Sequence, residues 1–540
     1  MTTQNIPHLR SRLLLRLVCC CVTATCLFSS CDDYLDELPD NRAELNTDSK
    51  ITELLVNAYP RTSYFLIAES YSDNTDHCIG SPSYTAFAQS GTTLHEEAAT
   101  WKDITDKNQD SPTALWENCY KSIAAANNVL NAIAEQGNPK RLNAQRGEAL
   151  LCRAYCHFVL GNIFCMPYST KTCDTAMGIT YMKTTESTVS PTYSRGTMAE
   201  LYRDIAADIE EGLPLIDDNI YSVPKYHFNR RAAYAFASRF YLYYMKDDKS
   251  NLDKCIEYAT RVLTSKPEEM MRDWKTLGNK ATGSPQYNAF IDASDKANLL
   301  IISASSYWEW VYGPTAVAKG YCHDTKISTT ETLQSTGFWG SQNTYFKAGQ
   351  MSGSPKIYML KMGQYFEYTD VVKGIGSPRM IVPAFTTEAL ILDRAEAYAL
   401  KGDYTNAYAD LKVWMNSFTS NQGDVTSAML NTAYGTMKDF YTPLAPTPKK
   451  HLDPDFTITA GEQENLIHAV LHARRVTTLH EGLRWFDVKR YGIEIYRRDV
   501  DGTLGDGNIT VLDTMKKDDP RRAIQLPQYV ITAGITANPR

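Results

Sequence analysis

LHEGLRWFDVKRYG, residues Leu479–Gly492, is the stretch on which the reading of this chain turns. A helical run leads into it, with Leu466, Val470, Ala473 and Val476 at i, i+4, i+7 and i+10 on one face. Gly482 then predicts a stop or kink, because glycine weakens a helix and accepts backbone angles that other residues avoid. Trp485 and Phe486 add large apolar area just beyond it, and Arg484, Asp487, Lys489 and Arg490 offer ion pairs of the i, i+3 kind. The expectation is a helix–kink–helix core element with a charged rim.

At 540 residues the chain exceeds an ordinary domain, so one large mosaic domain or two to three packed units are expected. An apolar content of 43% is ample for a core. Tyrosine, at 34 residues, is the outstanding enrichment, and its flat ring with a hydrogen-bonding tip suits both helix packing and sugar contacts. A formal charge of −7 argues against a nucleic-acid or anionic-lipid binder acting through bulk charge.

Residues 1–30 read as a targeting segment: Arg10, Arg12 and Arg16, then the short apolar run Leu17–Phe28. Phe28-Ser29-Ser30-Cys31 closes it in the manner of a bacterial lipobox, with Phe28 in place of the usual leucine. The apolar run is short for a bilayer span, so Cys31 is expected to carry lipid and to anchor the mature protein. Removal of the segment leaves 52 basic against 62 acidic residues. The acidic stretch Asp32–Pro39 then reads in two ways, as retention at the inner membrane or as export to the outer surface. Eight further cysteines, Cys78, Cys119, Cys152, Cys156, Cys165, Cys173, Cys255 and Cys322, show no metal-type spacing. Buried thiols are expected for most, with room for one or two disulfides in an exported protein.

Helical patterns begin at Trp116, continue in Arg146–Phe164 and recur in Tyr202–Leu215. Two later segments read as tetratricopeptide-type hairpins: Ala232–Met245 with Asn251–Leu263, and Glu388–Leu400 with Thr405–Met415 across Gly402. Between them, from Lys266 to Met380, glycine, serine, threonine and aromatic residues follow no helical period, which predicts ordered loops of the kind that carry binding. The patch Tyr71–Tyr84, with Asp73, Asn74, Asp76 and His77, has a similar character.

Together these pieces resemble the SusD/RagB family of outer-membrane nutrient-binding lipoproteins. The landmarks run in order: CDDYLD at Cys31–Asp36, NAYP at Asn57–Pro60, WENCYKSIAAANNVL at Trp116–Leu130 and RGEALLCRAYCHFVLGNIFCMPY at Arg146–Tyr168. They continue with NRRAAYAFASRFYLYY at Asn229–Tyr244, LDRAEAYALKGDYTNAYADL at Leu392–Leu411 and HEGLRWFDVKRYG at His480–Gly492, before Leu526-Pro527 and Asn538-Pro539. Ala473 and Thr477 stand where the family usually has glutamates, and Thr478 where it has an apolar residue, which predicts looser local ion pairing.

The resemblance implies a mainly α fold, a tetratricopeptide-like hairpin scaffold with a large irregular ligand-binding part and few short strands. The implied layout is a signal peptide over 1–30, an N-terminal helical region over 31–265, a loop- and aromatic-rich insertion over 266–380 and a C-terminal region over 381–540. It implies a surface-exposed outer-membrane lipoprotein that binds an oligosaccharide or other nutrient without altering it, needs no cofactor, and serves a SusC-like TonB-dependent barrel transporter. Two alternatives stay open: the same fold with a peptide ligand, and a periplasmic helical-repeat scaffold.

For sugar binding, flat aromatic faces must cover the apolar side of a pyranose while planar polar groups meet its hydroxyls. Tyr307, Trp308, Trp310 and Trp339 fit the first need, and Asp73, Asn74 and Asp76 the second. Trp308 and Trp310 alternate at strand spacing, which would place them on one face. Trp116, Trp414 and Trp485, on helical patterns, are expected in the core. No catalytic set emerges. His468 and His472 lie at i, i+4 but have neither an intervening HExxH glutamate nor a third ligand, so packing is expected for them rather than metal. Cys152, Cys156 and His157 sit on an apolar helical stripe and read as core.

Overall fold

A computed structural model describes residues 47–78, 92–186, 193–314, 320–502 and 507–540, together with 45 and 505. Cys31, the targeting segment and the acidic stretch after it lie outside the described residues. Residues 49–540 form one unit.

Its frame is helical. In chain order the elements that matter here are α1 (Phe65–Tyr71), α2 (Pro112–Glu135), α3 (Asn143–Phe164), α4 (Met198–Gly212), α5 (Arg230–Tyr243), α6 (Asn251–Leu263), α7 (Trp308–Tyr312), α8 (Thr387–Lys401), α9 (Tyr404–Phe418), α10 (Glu462–Thr477) and α11 (Leu483–Arg490). Helix α2 packs on α3 and α3 on α4; α5 pairs with α6, α6 with α8, and α8 with both α9 and α10. Local sequence sets these boundaries. Ser111 caps α2 ahead of Pro112, Thr197 and Glu200 form a capping box on α4, and Asn229 and Asp403 cap α5 and α9. Gly402 ends α8 in the left-handed region at φ 81°, where a side chain would be strained. At Gly147 the need is different: an added Cβ would lie 2.8 Å from the Gly212 carbonyl oxygen, so only glycine lets α3 and α4 approach this closely.

The helix pairs also share a polar signature that no fixed sequence period announces. Arg153 of α3 forks onto Asp208 of α4 at 2.7 and 2.7 Å, and Arg394 of α8 forks onto Asp410 of α9 at 2.9 and 2.7 Å. Both pairs are buried, so each guanidinium finds its carboxylate in a fixed two-bond geometry.

Strands are few. β1 (Asp76–Cys78), β2 (Asn298–Ala304), β3 (Tyr321–Cys322), β4 (Gln364–Asp370), β5 (Ile375–Thr386), β6 (Ile495–Val500) and β7 (Ile509–Met515) build two sheets, ordered β7-β6-β1-β3 and β2-β5-β4. In the first, β1 runs parallel to β6, with His77 opposite Asp499, and antiparallel to β3, with Asp76 opposite Cys322. In the second, β5 is central: Met380–Thr386 pair with β2, and Ile375–Met380 pair with β4 as a two-stranded ribbon.

Leu479–Gly492 is the helix–kink–helix joint its sequence predicts. α10 and α11 meet at a turn in which His480 and Gly482 take φ 69° and 74°. Trp485 is fully buried and meets Tyr71 at 5.4 Å between ring centroids. The ion pairing is denser than expected. Arg474 bonds Asp487 at 2.9 Å, Asp393 at 3.1 Å and Glu396 at 2.6 Å, and Arg490 adds Glu396 at 2.7 Å and Asp487 at 3.7 Å. Thr477 stands outside this set, its hydroxyl accepting from the Trp414 indole at 2.8 Å. Lys489 takes backbone partners instead: it donates to the Asn162 and Cys165 carbonyls at the end of α3.

Candidate functional site: an aromatic platform beside a buried ion network

The turn after α1, Ser72–Asp76, feeds β1 and lies against α10, α11 and β6. Asp73 accepts Arg484 Nε and Nη2 at 2.7 and 2.9 Å, with Lys450 at 3.2 Å and Arg475 at 3.5 Å. Asn74 donates to Glu69 at 2.9 Å and accepts Arg475 Nε at 2.7 Å. Asp76 holds Arg498 through contacts of 2.8 and 2.5 Å, and Glu331 gathers Lys450, Arg475 and Arg498 between 2.6 and 3.0 Å. Burial alone would raise the Asp73 carboxyl, but Arg475, Arg484 and Lys450 outweigh it and hold that carboxyl well below the usual range. The same balance, with Lys450 the leading cation, lowers Glu331 to about 2. Glu69 completes the network by accepting the backbone N–H groups of His480 at 2.8 Å and Gly482 at 3.1 Å. The expectation that Asp73, Asn74 and Asp76 meet a ligand is therefore corrected: all three are buried and committed to partners within the chain. At 6%, 1% and 1% exposure, Asp73, Asn74 and Asp76 turn their polar atoms to these partners and not to the surface.

The four aromatic candidates divide. Trp308 is fully buried, and its indole donates to the His480 carbonyl at 2.6 Å. Trp339 is also fully buried, edge-on to Trp414 at 5.1 Å and near His472 at 4.6 Å. Both leave the ligand-facing set. Tyr307 and Trp310 stay partly exposed and stack on each other, with centroids 5.0 Å apart and planes 23° from parallel.

The backbone explains the division. Residues 308–312 form a short helix rather than a strand, so Trp308 and Trp310 fall on opposite sides of it instead of sharing a face. Trp308 and Tyr312 pin that helix inward. The Tyr312 hydroxyl lies 2.7 Å from Ser70 Oγ, and its ring stacks on His480 at 4.7 Å. The approach to the helix is fixed by Asp110, which accepts Ser306 Oγ and Tyr307 N, each at 2.7 Å. Burial pushes the Asp110 carboxyl up to about 7, against the lowering effect of those two donors.

The β4–β5 ribbon starts at this platform. Gln364 donates its backbone N–H to the Glu309 carboxylate and its side-chain amide to the Ser306 carbonyl. Beyond it Tyr365, Phe366 and Tyr368 are 42%, 46% and 55% exposed. Phe366 and Tyr368 meet edge to face at 4.9 Å, while the opposite side of the ribbon carries the Arg379–Glu367 pair at 2.6 Å. These rings are absent from the sequence-derived set, although QYFEYTD carries a signal: period-2 alternation ahead of a Lys373-Gly374 turn.

A separate cleft of about 900 Å³ lies along α9 and the segment 264–275. Tyr398, Asn406, Lys412 and Asn416 line it, with the Arg394–Asp410 pair at its wall. His468 and His472 are buried; His472 spends both ring nitrogens on Tyr434 at 2.8 Å and Ser335 at 3.1 Å, which is a packing role. Among the described residues no group of three His, Cys, Asp or Glu side chains could hold a metal ion, and no helix is long and apolar enough to cross a membrane.

This arrangement of helical hairpins carrying loops and a short ribbon has counterparts among solved structures. A SusD superfamily protein from Bacteroides thetaiotaomicron superposes with a TM-score of 0.59 at 18% identity, covering 91% of this chain and 98% of that one. A SusD superfamily protein from Bacteroides vulgatus gives 0.57 at 20% identity, covering 91% and 98%. A SusD-like carbohydrate-binding protein from the same species gives 0.54 at 14%, covering 90% and 96%. Residues 33–242 match the SusD-like family described as starch-binding and associating with the outer membrane. The fold is SusD-like. Among curated proteins none matches the sequence. The family match runs from ahead of α1 to Leu242 in α5, whereas the aromatic platform and ribbon lie beyond it, where the likeness is one of fold.

Proposed function

We propose that this SusD-like protein captures a carbohydrate at the outer membrane and passes it, chemically unchanged, to a SusC-like TonB-dependent transporter. The observation that carries the reading is the Tyr307–Trp310 stack. Trp310 on α7 and Tyr307 just ahead of it are partly exposed and held nearly parallel, while Trp308 locks the other side of that helix into the core, a preorganised aromatic surface of the kind a pyranose packs against. Phe366 and Tyr368 continue the aromatic surface along the ribbon. The family description supports the sugar and the outer membrane, the basic-apolar leader before Cys31 supports a lipid anchor there, and the acidic stretch Asp32–Pro39 is the feature consistent with an outward-facing protein.

Calorimetric titration of soluble oligosaccharides tests the binding reading. A saturable response to at least one glycan, weakened in Trp310→Ala, supports it. Silence across a broad panel, with protection of a peptide digest instead, replaces sugar by peptide. Protease or antibody accessibility on intact cells tests the location, since a scaffold inside the envelope would be shielded.

A further inference from the structure

Two of the eight described cysteines stand out by position. Cys78 ends β1 and Cys322 ends β3, on adjacent antiparallel strands in which Asp76 pairs with Cys322 and His77 with Tyr321. That register puts the two thiols diagonally across one face of the ladder, two residues out of step. Their sulfurs are 3.8 Å apart, in van der Waals contact, and both side chains are buried. The Cys78 thiol also points its proton at Asp324 Oδ2, 3.2 Å away.

We propose that Cys78 and Cys322 form a structural disulfide when the exported chain folds in the presence of a thiol–disulfide oxidant. The step balances with a small disulfide as co-reactant. In the chain that has not yet closed, the Cys78 thiol loses its proton to solvent. The resulting thiolate attacks one sulfur of the oxidant, breaking its S–S bond and releasing one thiolate. Cys322 in turn loses its proton to solvent and attacks Cys78 Sγ, forming the protein S–S bond and expelling the second thiolate, and the two departing thiolates take up the two protons. The two cysteines are oxidised and the co-reactant is reduced to two thiols. Bond formation brings the sulfurs from 3.8 Å to about 2.05 Å, which for a diagonal pair requires the strand ends at Cys78 and Cys322 to draw together as well as the side chains to rotate. Because both sulfurs are buried in the folded chain, the exchange belongs to folding, before β1 and β3 close over them.

The site has a consequence for the platform. Cys322 lies shortly after α7, and Cys78 lies shortly after α1, the helix to which Tyr312 is already tied through Ser70. The bond would join two positions separated by 244 residues, the kind of long loop whose closure constrains the unfolded chain most. It would therefore fasten the loop that carries Tyr307 and Trp310 to the turn that carries Asp73 and Asp76.

Full-length protein refolded in detergent with oxidised glutathione, or with reduced glutathione alone, provides the test. After alkylation under denaturing conditions and proteolysis, mass spectrometry is expected to find a reducible Cys78–Cys322 cross-linked peptide in the first sample only. The oxidised protein should also unfold several degrees higher, and Cys322→Ser should lose that difference while leaving Cys78 alkylated. Recovery of both residues as free thiols after oxidative refolding, or of either bonded to another cysteine such as Cys119 or Cys156, overturns the proposal. The peptide map is read on the unaltered chain, so it decides the matter even where a variant folds poorly.

Discussion

The joint at Leu479–Gly492 and the aromatic segment around Tyr307–Tyr368 are built from the same residue types, and they spend them in opposite ways. In the joint the large rings and the charges are turned inward, Trp485 against Tyr71 and Arg484 onto Asp73. In the platform one ring anchors and its neighbour is presented: Trp308 is enclosed while Trp310 is partly exposed. Phe366 and Tyr368 stand on a ribbon whose outer strand, β4, pairs only with β5 among the described residues. Residue type therefore does not separate structure from binding in this molecule. What separates them is whether the rings are enclosed by packed elements, as Trp485 is, or left partly at the surface, as Trp310 is.

The largest break in that comparison is expected from Arg484→Ala, which leaves Asp73 buried against fewer cations. A stability loss of about 3–5 kcal/mol in denaturant unfolding is expected, and a loss below about 1 kcal/mol would show that Lys450 and Arg475 suffice without it. Trp485→Ala and Trp308→Ala should each cost roughly 2–5 kcal/mol through cavities in the core. If Trp308→Ala instead unfolds like the wild type but loses glycan affinity, the anchoring role assigned to Trp308 is wrong.

Acid provides a graded test of the same network. Glu331 has its folded pKa lowered from the ordinary 4.5 to about 2, so its contribution is fully present above 4.5 and is lost as pH falls through about 2. Asp110 runs the other way. Its folded pKa is raised to about 7, so its stabilisation is greatest near and below the ordinary 3.8 and fades as pH rises toward 7. Unfolding midpoints measured from pH 2 to 8 should therefore show Glu331→Gln flattening the acid limb and Asp110→Asn flattening the neutral one.

Smaller effects on stability, and larger ones on ligand, are expected at the platform. Trp310→Ala should change unfolding by less than about 0.5 kcal/mol and weaken glycan affinity by roughly tenfold, about 1.4 kcal/mol. The double change Phe366→Ala and Tyr368→Ala should leave unfolding unmoved and weaken only longer oligosaccharides, by about threefold, consistent with a stacking pair worth about 0.5–1.5 kcal/mol. Equal losses for short and long chains would remove the ribbon from the binding surface.

The helices are legible in the sequence because a 3.6-residue period repeats along Arg146–Phe164 and Glu388–Leu400, and because Gly402 and Gly482 mark their turns. The ion network is not, since Asp73 meets a partner 411 residues away and nothing local distinguishes a carboxylate awaiting an arginine from one awaiting a sugar. Trp308 and Trp310 mislead for a geometric reason: an i, i+2 pair means one face in a strand and opposite faces in a helix, and so short a helix shows no period. Phe366 and Tyr368 escape notice because alternation with Glu367 and Thr369 resembles an ordinary half-buried strand until the position of β4 at the sheet edge is known.

Glu69 gives the molecule a temporal order. Its carboxylate takes the N–H groups of His480 and Gly482 at the head of α11, although α1 is made more than four hundred residues earlier. Until α11 exists, Asp73 lacks the arginine that forks onto it, and Glu69 lacks the turn it caps. The N-terminal helices can assemble early, yet their shared core stays open on this side until the last part of the chain arrives. A chain cut before Leu479 would thus fail as a whole rather than lose a terminal piece, which makes the C-terminal segment the latch of the fold.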